Sequence, residues 1–359
     1  MWNILSSLIH KVRKEFNLAI SRLPSVRLAN AGYVFLSFSI MSYAASSYAV
    51  TITVSIPPLA GMIAPLLGDE DRVEVILKPG ASPHGFQLKP SHLRNLQNSD
   101  LIVWVGSPVD SWMQKPLANL HTAELNLKHL PGIEEYPVRQ GGLWETKHEH
   151  THAEVHAEEK GEEKGEERDH HVDEHPHEQR MDGHLWMSFK NTLLLIESVS
   201  KQLQQMQPDH AQLIQQRTQA WLNQLRQSNE VVQNQLQAVK NEPFMVLHDA
   251  YQYFEKQYQL NGVGSIQLNP SVSPSLKRVA ELRARIKEGG VKCVFKEPQF
   301  PERRVLAVVK GLDVKVGSLD PMGVVSKAFQ QKQQQDFMFY DQFMLKLSEG
   351  FTACLQVEN

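Results

Sequence analysis

The sequence predicts an α/β protein of two lobes, each with a parallel-type sheet flanked by helices, joined by a long connecting helix. Three features of the chain support this prediction. Short apolar segments alternate with helical segments before residue 145, the same alternation returns after residue 243, and one long amphipathic segment lies between them. Strands that alternate with helices are typical of parallel sheets, because a parallel pair of strands needs a crossover connection.

The first lobe begins with a buried-strand pattern that ends at Pro57-Pro58. His84 follows the second predicted strand, at the edge where parallel sheets collect ligand groups. The predicted elements are strands at 51–56, 73–77 and 101–105, and helices at 59–67 and 90–98.

The middle of the chain predicts a helix at 186–205 and a longer one at 209–240, which Pro243 ends. Along the longer helix, apolar or small residues recur at the three-and-four spacing of an amphipathic helix. These residues are Ala211, Ile214, Thr218, Trp221, Leu225, Val232, Leu236 and Val239. At about 1.5 Å per residue, such a helix spans a small protein, and we interpret it as a rigid connector that permits only small domain movement.

The second lobe repeats the alternation of strands and helices. The predicted strands are 244–247, 262–266, 291–295 and 314–319, and the helices begin at 251, 274, 301 and 337. The predicted organisation is a signal peptide at 1–49, an N-terminal lobe at 50–205, a connecting helix at 206–242 and a C-terminal lobe at 243–359.

Composition indicates a globular protein with ample core. The 359 residues are 41% hydrophobic and carry a formal charge of −3, so no nucleic-acid partner is suggested. A basic stretch precedes an apolar segment at 31–45 and the small-x-small site Ser47-Tyr48-Ala49, an arrangement typical of a secretory signal. The apolar segment is too short and too rich in serine for a transmembrane span. We therefore expect export, and a protein that is not membrane-embedded after cleavage.

The chain has two cysteines, Cys293 and Cys354. In an oxidising compartment such an isolated pair usually forms one disulfide, which would tie the C-terminal tail to the second lobe. The alternative is two buried free thiols.

An acidic, histidine-rich insert at 147–182 has almost no apolar residue and cannot fold around a core. Imidazoles and carboxylates together are ligands for a divalent metal. We expect low-affinity metal binding at its histidines, because ordering a flexible loop costs entropy. They are His148, His150, His152, His156, His170, His171, His175 and His177. We expect the insert to capture scarce metal and pass it to the cleft, or to report metal abundance; the alternative is a solvated linker.

Three further histidines, His84, His184 and His248, follow predicted strands or lie at the edge of the insert, and Asp320 is a fourth candidate ligand. Taken singly, each histidine is more often a hydrogen-bonded structural residue than a ligand. Asp249, beside His248, would either support a metal-bound imidazole or cap the following helix. Glu297 either lines the cleft or is solvated, and we assign it no role.

Several motifs in order resemble the periplasmic zinc-binding proteins of high-affinity zinc ABC importers, over nearly the whole mature chain. The motifs are Gly80-Ala-Ser-Pro-His84, Lys89-Pro-Ser91, the insert, Asp182-Gly-His-Leu-Trp186, Leu247-His-Asp-Ala-Tyr251, Cys293-Val-Phe-Lys-Glu-Pro-Gln299 and Gly317-Ser-Leu-Asp-Pro321. The resemblance implies that His84, His184 and His248 bind Zn²⁺ between the lobes as the transported ligand. It further implies a periplasmic location and delivery to the membrane permease of a zinc ABC transporter, and we expect a monomer.

The resemblance also bears on the fourth ligand and on the metal. Some family members place a Glu before the first histidine, but Pro83 stands here, so Asp320 or water must complete the shell. Manganese-binding relatives generally place a Glu at the position of His248. Three imidazoles and one oxygen suit tetrahedral zinc, whereas manganese prefers more oxygen ligands. Copper and nickel would also bind such a site.

Two other functions remain open from the sequence. An exported zinc hydrolase would also use three histidines and an open fourth position, although no His-Glu-x-x-His motif or serine nucleophile elbow occurs. In a loop-based metal storage or interaction protein, the insert would be the main functional element.

Overall fold

Two four-stranded parallel sheets form the framework of the molecule. The computed structural model describes residues 49–144, 180–267, 273–333 and 335–356, and all of them belong to one compact unit that begins at Ser47. The predicted signal segment and the eight insert histidines lie outside the described residues, apart from Ala49. No helix in the described ranges is both long and apolar enough to cross a membrane.

The first sheet has the strand order β2-β1-β3-β4. Every neighbouring pair is parallel, with Ile52 of β1 opposite Val73 of β2 and Leu101 of β3. The strands are β1 Thr51–Val54, β2 Arg72–Val75, β3 Leu101–Trp104 and β4 Ala123–Asn126. The first three were predicted. β4 was missed because this edge strand, Ala-Glu-Leu-Asn, has no apolar run and two of its four residues are exposed.

The second sheet repeats that topology in the order β6-β5-β7-β8, again with every pair parallel. The strands are β5 Phe244–His248, β6 Gly262–Gln267, β7 Cys293–Lys296 and β8 Lys315–Ser318. All four were predicted, with ends that differ by one or two residues. In each lobe the first strand in the chain is central, so the loops after it and its neighbours converge at one edge of the sheet.

Helices cover both sheets and connect them. In the first lobe they are α1 Pro57–Ile63, α2 Pro90–Gln97 and α3 Gln114–Leu117. Between the lobes lie α4 Phe189–Met206 and α5 Ala211–Leu236. In the second lobe they are α6 Gln252–Tyr258, α7 Leu276–Lys287, α8 Arg303–Val309, α9 Lys327–Gln333 and α10 Tyr340–Leu355. Of these, α3 and α9 were not predicted.

The long helix α5 extends for 26 residues, which corresponds to about 39 Å. It ends at Leu236, four residues before the predicted end. Its buried stripe includes Trp221, whose indole N–H donates to Met62 O in the first lobe at 2.8 Å. On the side of the second lobe, the side-chain amide of Gln224 in α5 donates to the Asp341 carboxylate of α10. The helix therefore touches both lobes.

The main hydrophobic core runs without a break from β1 through α4 and α5 to β5 and α10. At one crossing, a Cβ built on Gly61 of α1 would lie 2.2 Å from Met338 O, so only glycine permits this close approach. A shared core of this kind resists relative movement of the lobes, because opening it would expose apolar surface.

The predicted disulfide is present and joins Cys293 at the start of β7 to Cys354 in α10. The alternative of two free thiols is therefore wrong. The bond holds the last helix against the second sheet, as its position in the sequence predicted.

Candidate metal centre

Three imidazoles from distant parts of the chain meet between the two sheets. His84, His184 and His248 each offer a ring nitrogen, and these nitrogens all lie within 4.8 Å of one another. The ring centroids are 5.6 Å apart for His84 and His184, 5.5 Å for His84 and His248, and 5.3 Å for His184 and His248. Three nitrogens so close together can converge on a single ion.

Each lobe contributes to this cluster through its loops and strand ends. His84 lies in the loop after β2, where Ser82 Oγ accepts its backbone N–H at 3.2 Å. Gly85 follows with φ of +76°, a conformation that costs glycine little. His184 precedes a short 3-10 turn, and a Cβ at the adjacent Gly183 would lie 2.8 Å from Pro108. His248 is the last residue of β5.

Two of the three rings are each held by a different carboxylate. Asp182 Oδ1 lies 2.7 Å from His184 Nδ1 and also accepts the backbone N–H of His184 at 3.0 Å. Glu297 Oε1 lies 2.7 Å from His248 Nδ1. With Nδ1 protonated and donating to a carboxylate, the Nε2 atom is the free ligand nitrogen. His184 Nε2 is buried and makes no hydrogen bond within the described structure.

Burial and charge act differently on the histidines. Burial, followed by the neighbouring His248 and His184, lowers the pKa of His84 to about 2. Burial is the largest single effect and acts to lower the pKa of His184, but the carboxylates of Asp182, Asp249 and Glu297 together raise that pKa above the usual value. His84 is therefore neutral across the physiological range, and a proton on His184 is the more effective competitor of a metal ion.

The predicted fourth ligand, Asp320, does not lie in the cluster. Its Oδ1 accepts from Gln299 Nε2 at 2.6 Å and from Met322 N at 2.9 Å, while Oδ2 accepts from Val324 N. Both oxygens are thus used to hold the turn after β8. No carboxylate in the described ranges joins the three-nitrogen group.

Glu297 lines the pocket, one of the two places the sequence interpretation allowed it, whereas Asp249 takes neither of its two expected roles. Asp249 neither supports an imidazole nor caps a helix, because Arg139 holds its carboxylate and Tyr251 precedes α6 without a side-chain cap. Glu297, which had no assigned role, holds His248 instead. The role of Asp182 as the partner of His184 was not predicted from the sequence. Its spacing two residues before His184, typical of an Asx turn, could have indicated its role.

The pocket around the cluster is narrow and is lined by both polar and apolar residues. His184 and His248 are 8% and 3% exposed, and His84 is half-buried. Trp186 and Phe300 line the pocket, and the Trp186 indole donates to Pro321 O at 2.8 Å. The pocket itself can enclose one ion, and a second cavity of about 640 Å³ also borders His84 and His184.

Comparison with known proteins adds a family to this geometry. The family model described as "Zinc-uptake complex component A periplasmic", ZnuA, matches residues 52–339. The high-affinity zinc uptake system protein ZnuA of Brucella abortus (strain 2308) is 33% identical over 312 residues, covering 85% of this chain and 91% of that protein. Its counterpart in Haemophilus ducreyi is 36% identical over 307 residues, covering 85% and 93%.

Solved structures share the fold. A crystal structure of ZnuA superposes with a TM-score of 0.65 at 22% identity, covering 86% of this chain and all of that one. The periplasmic zinc binding protein TroA from Treponema pallidum gives a TM-score of 0.67 at 17% identity, with the same coverage. The resemblance and the two-lobe fold predicted from the sequence are confirmed. The chain belongs to the ZnuA family of periplasmic components of zinc-uptake complexes.

Proposed function

We propose that this protein captures Zn²⁺ with His84, His184 and His248 and delivers it to the permease of an ABC transporter. The observation that carries the proposal is the convergence of three imidazole nitrogens within 4.8 Å, two of them from rings oriented by carboxylates. Three imidazoles and one oxygen suit tetrahedral zinc better than manganese, which prefers oxygen ligands. Since Asp320 is occupied elsewhere, water is the fourth ligand in this proposal.

The zinc-uptake family of the chain favours binding over hydrolysis. A catalytic zinc keeps its fourth position open to substrate as well as water, whereas here Trp186 and Phe300 cover part of the imidazole cluster, although a larger cavity also borders His84 and His184. We therefore propose a solute-binding protein that does not turn over a substrate. The names of the relatives, which are zinc uptake proteins, support the same function.

Competitive zinc titration tests this site directly. We expect one tight site in the mature protein, and its loss in His84→Ala, His184→Ala and His248→Ala. His121, which is exposed, supplies the matched control His121→Ala, which should keep the site. A tight site that survives all three cluster variants would overturn the proposal.

Deleting residues 148–178 separates the cleft from the insert. We propose that the insert only collects zinc, so the deletion variant should keep the tight site and lose the weak ones. Zinc uptake by cells at limiting zinc should then fall. Tight binding that disappears with the insert would instead favour the storage protein, and unchanged weak binding and uptake would leave the insert as a linker.

Export and assembly form the last part of the proposal. A signal peptide at 1–49 would leave Val50 as the first residue, buried and bonded through its N–H to Asp71 Oδ1 at 2.9 Å. The family is periplasmic, and we propose the same location here for a monomer. Mass spectrometry of the periplasmic fraction gives the new N-terminus, and light scattering gives the mass of the particle.

A further inference from the structure

The segment at residues 136–144, here called the strap, connects the two halves of the candidate centre without contributing a ligand. It leads from the first lobe into the insert. Its contacts include one set that reaches Asp182 and another that reaches Asp249. Asp182 lies two residues before His184 in the chain, and Asp249 directly follows His248.

On the side of the first lobe, the strap pairs with the residues just before His184. Val138 N donates to Arg180 O and Asp182 N donates to Tyr136 O, both at 2.8 Å, around the antiparallel bridge between Pro137 and Met181. The backbone of Asp182 is therefore tied to the strap, while its side chain holds the ring of His184.

On the side of the second lobe, Arg139 binds two buried carboxylates. Its Nε lies 2.9 Å from Asp249 Oδ2, its NH2 group contacts Asp249 Oδ1, and NH2 lies 3.0 Å from Glu255 Oε1. Arg139, Asp249 and Glu255 are 17%, 5% and 4% exposed in their side chains. A guanidinium paired with two buried carboxylates has little freedom to reorient.

The end of the strap lies against the edge strand β6. Leu143 O accepts from Ser265 N at 3.1 Å and from the Arg278 guanidinium. A Cβ on Gly264 would lie 2.4 Å from Leu143 Cβ, so the strand provides glycine where the strap passes. Arg139 also stacks 3.5 Å above the Trp144 ring. The strap is thus held at both ends.

We propose that Arg139 is a positioning residue that fixes the spacing of His184 and His248 before the metal arrives. The connection runs from His184 through Asp182 and the strap to Arg139, and from there through Asp249 to His248. It keeps the ring centroids 5.3 Å apart in the metal-free protein, so that little ordering opposes binding. This inference rests on the proposed zinc site but concerns a residue that touches no ligand nitrogen.

Two variants of Arg139 and its carboxylate partners test the proposal. Arg139→Met breaks the connection but leaves two unpaired buried carboxylates, which is strongly destabilising. The triple variant Arg139→Met, Asp249→Asn, Glu255→Gln removes the connection and leaves no unpaired buried carboxylate from these residues. Gln224→Met is the matched control, because it removes a hydrogen bond between α5 and α10 that lies outside the connection.

The readouts are zinc stoichiometry, the zinc dissociation rate into excess chelator, and thermal unfolding of the metal-free protein. We expect the triple variant to bind one zinc and release it at least about tenfold faster, the range seen for residues that orient metal ligands. The control should release zinc at the wild-type rate at comparable stability. A folded triple variant with wild-type release would overturn the proposal.

Hydrogen exchange of the metal-free wild-type protein provides a test that needs no variant. The amides of Val138 and Asp182 should be strongly protected before zinc is added. Exchange at the rate of unstructured peptide would show that the connection is open without metal, and the proposal would fail. Failure of the zinc site itself would appear separately, as absence of tight binding in the wild-type protein.

Discussion

Acid should destabilise the metal-free protein through His84, and the structure gives the size of the effect. Burial and the two neighbouring histidines lower the pKa of this imidazole from 6.5 to about 2. Between these values the unfolded chain binds a proton that the folded protein does not. The free energy of unfolding therefore rises with pH in this window. The stabilisation by neutral His84 is fully present above the unfolded pKa of 6.5, and it is lost progressively as the pH falls from 6.5 toward the folded pKa.

The magnitude follows from the part of the window that an experiment covers. One pH unit corresponds to about 1.36 kcal/mol for a single proton, and pH 5 lies about 1.5 units below the unfolded pKa. Acidification from pH 7 to pH 5 should thus remove about 2 kcal/mol through His84. This value does not depend on the folded pKa as long as that pKa stays well below 5. The raised pKa of His184 acts with the opposite sign, but it is present in both proteins compared below.

The assay is urea unfolding of the metal-free protein at pH 7 and pH 5, for the wild type and for His84→Asn. The loss of stability on acidification should be about 2 kcal/mol smaller in the variant. His121→Asn serves as the control and should respond to pH like the wild type, because this side chain is exposed and lies outside the cluster. Equal acid losses in wild type and His84→Asn would refute the reasoning.

Three further predictions concern other contacts. Glu297→Gln removes the charge beside His248 Nδ1 and should weaken zinc binding by about 10- to 100-fold in a competitive titration, whereas the exposed Glu302→Gln should leave it unchanged. Replacing Cys293 and Cys354 by Ser opens a loop with a sequence separation of 61. The free energy of unfolding in urea should fall by about 4 kcal/mol. A fall of less than about 1 kcal/mol, outside the typical range, would count against a stabilising disulfide. Gly61→Ala should lower the melting temperature, since its Cβ would meet Met338 O at 2.2 Å, although alanine normally favours a helix; a stabilised variant would show that the interface yields.

Local patterns were sufficient for most of the secondary structure. Central strands such as Leu101–Trp104 were found because their residues form an apolar run, and all four of these residues are buried. The edge strand Ala123–Asn126 and the helix Lys327–Gln333 were missed, since neither has a continuous apolar pattern. Such elements take their form from a neighbouring strand or helix rather than from their own composition.

The partners of individual side chains could not be derived in the same way. The sequence offered Asp249 as a support for His248 because Asp249 directly follows His248, yet successive residues after a strand point in different directions. Glu297, 49 residues further on, reaches the His248 ring because β5 and β7 are neighbours. Asp320 lies in a plausible motif but uses its carboxylate to hold a turn.

The sequence alone predicted the two α/β lobes, the long helix and a disulfide as the usual state of the cysteine pair, and its motifs singled out the three histidines, because periodicity, cysteine count and motif order are local or countable properties. Only the tertiary structure decided which carboxylates hold the rings, that Asp320 stands apart, and that Arg139 links the two sides of the cleft. Those contacts join residues up to 116 positions apart, such as Arg139 and Glu255. Their geometry is set by the packing of the whole chain, which no local pattern contains.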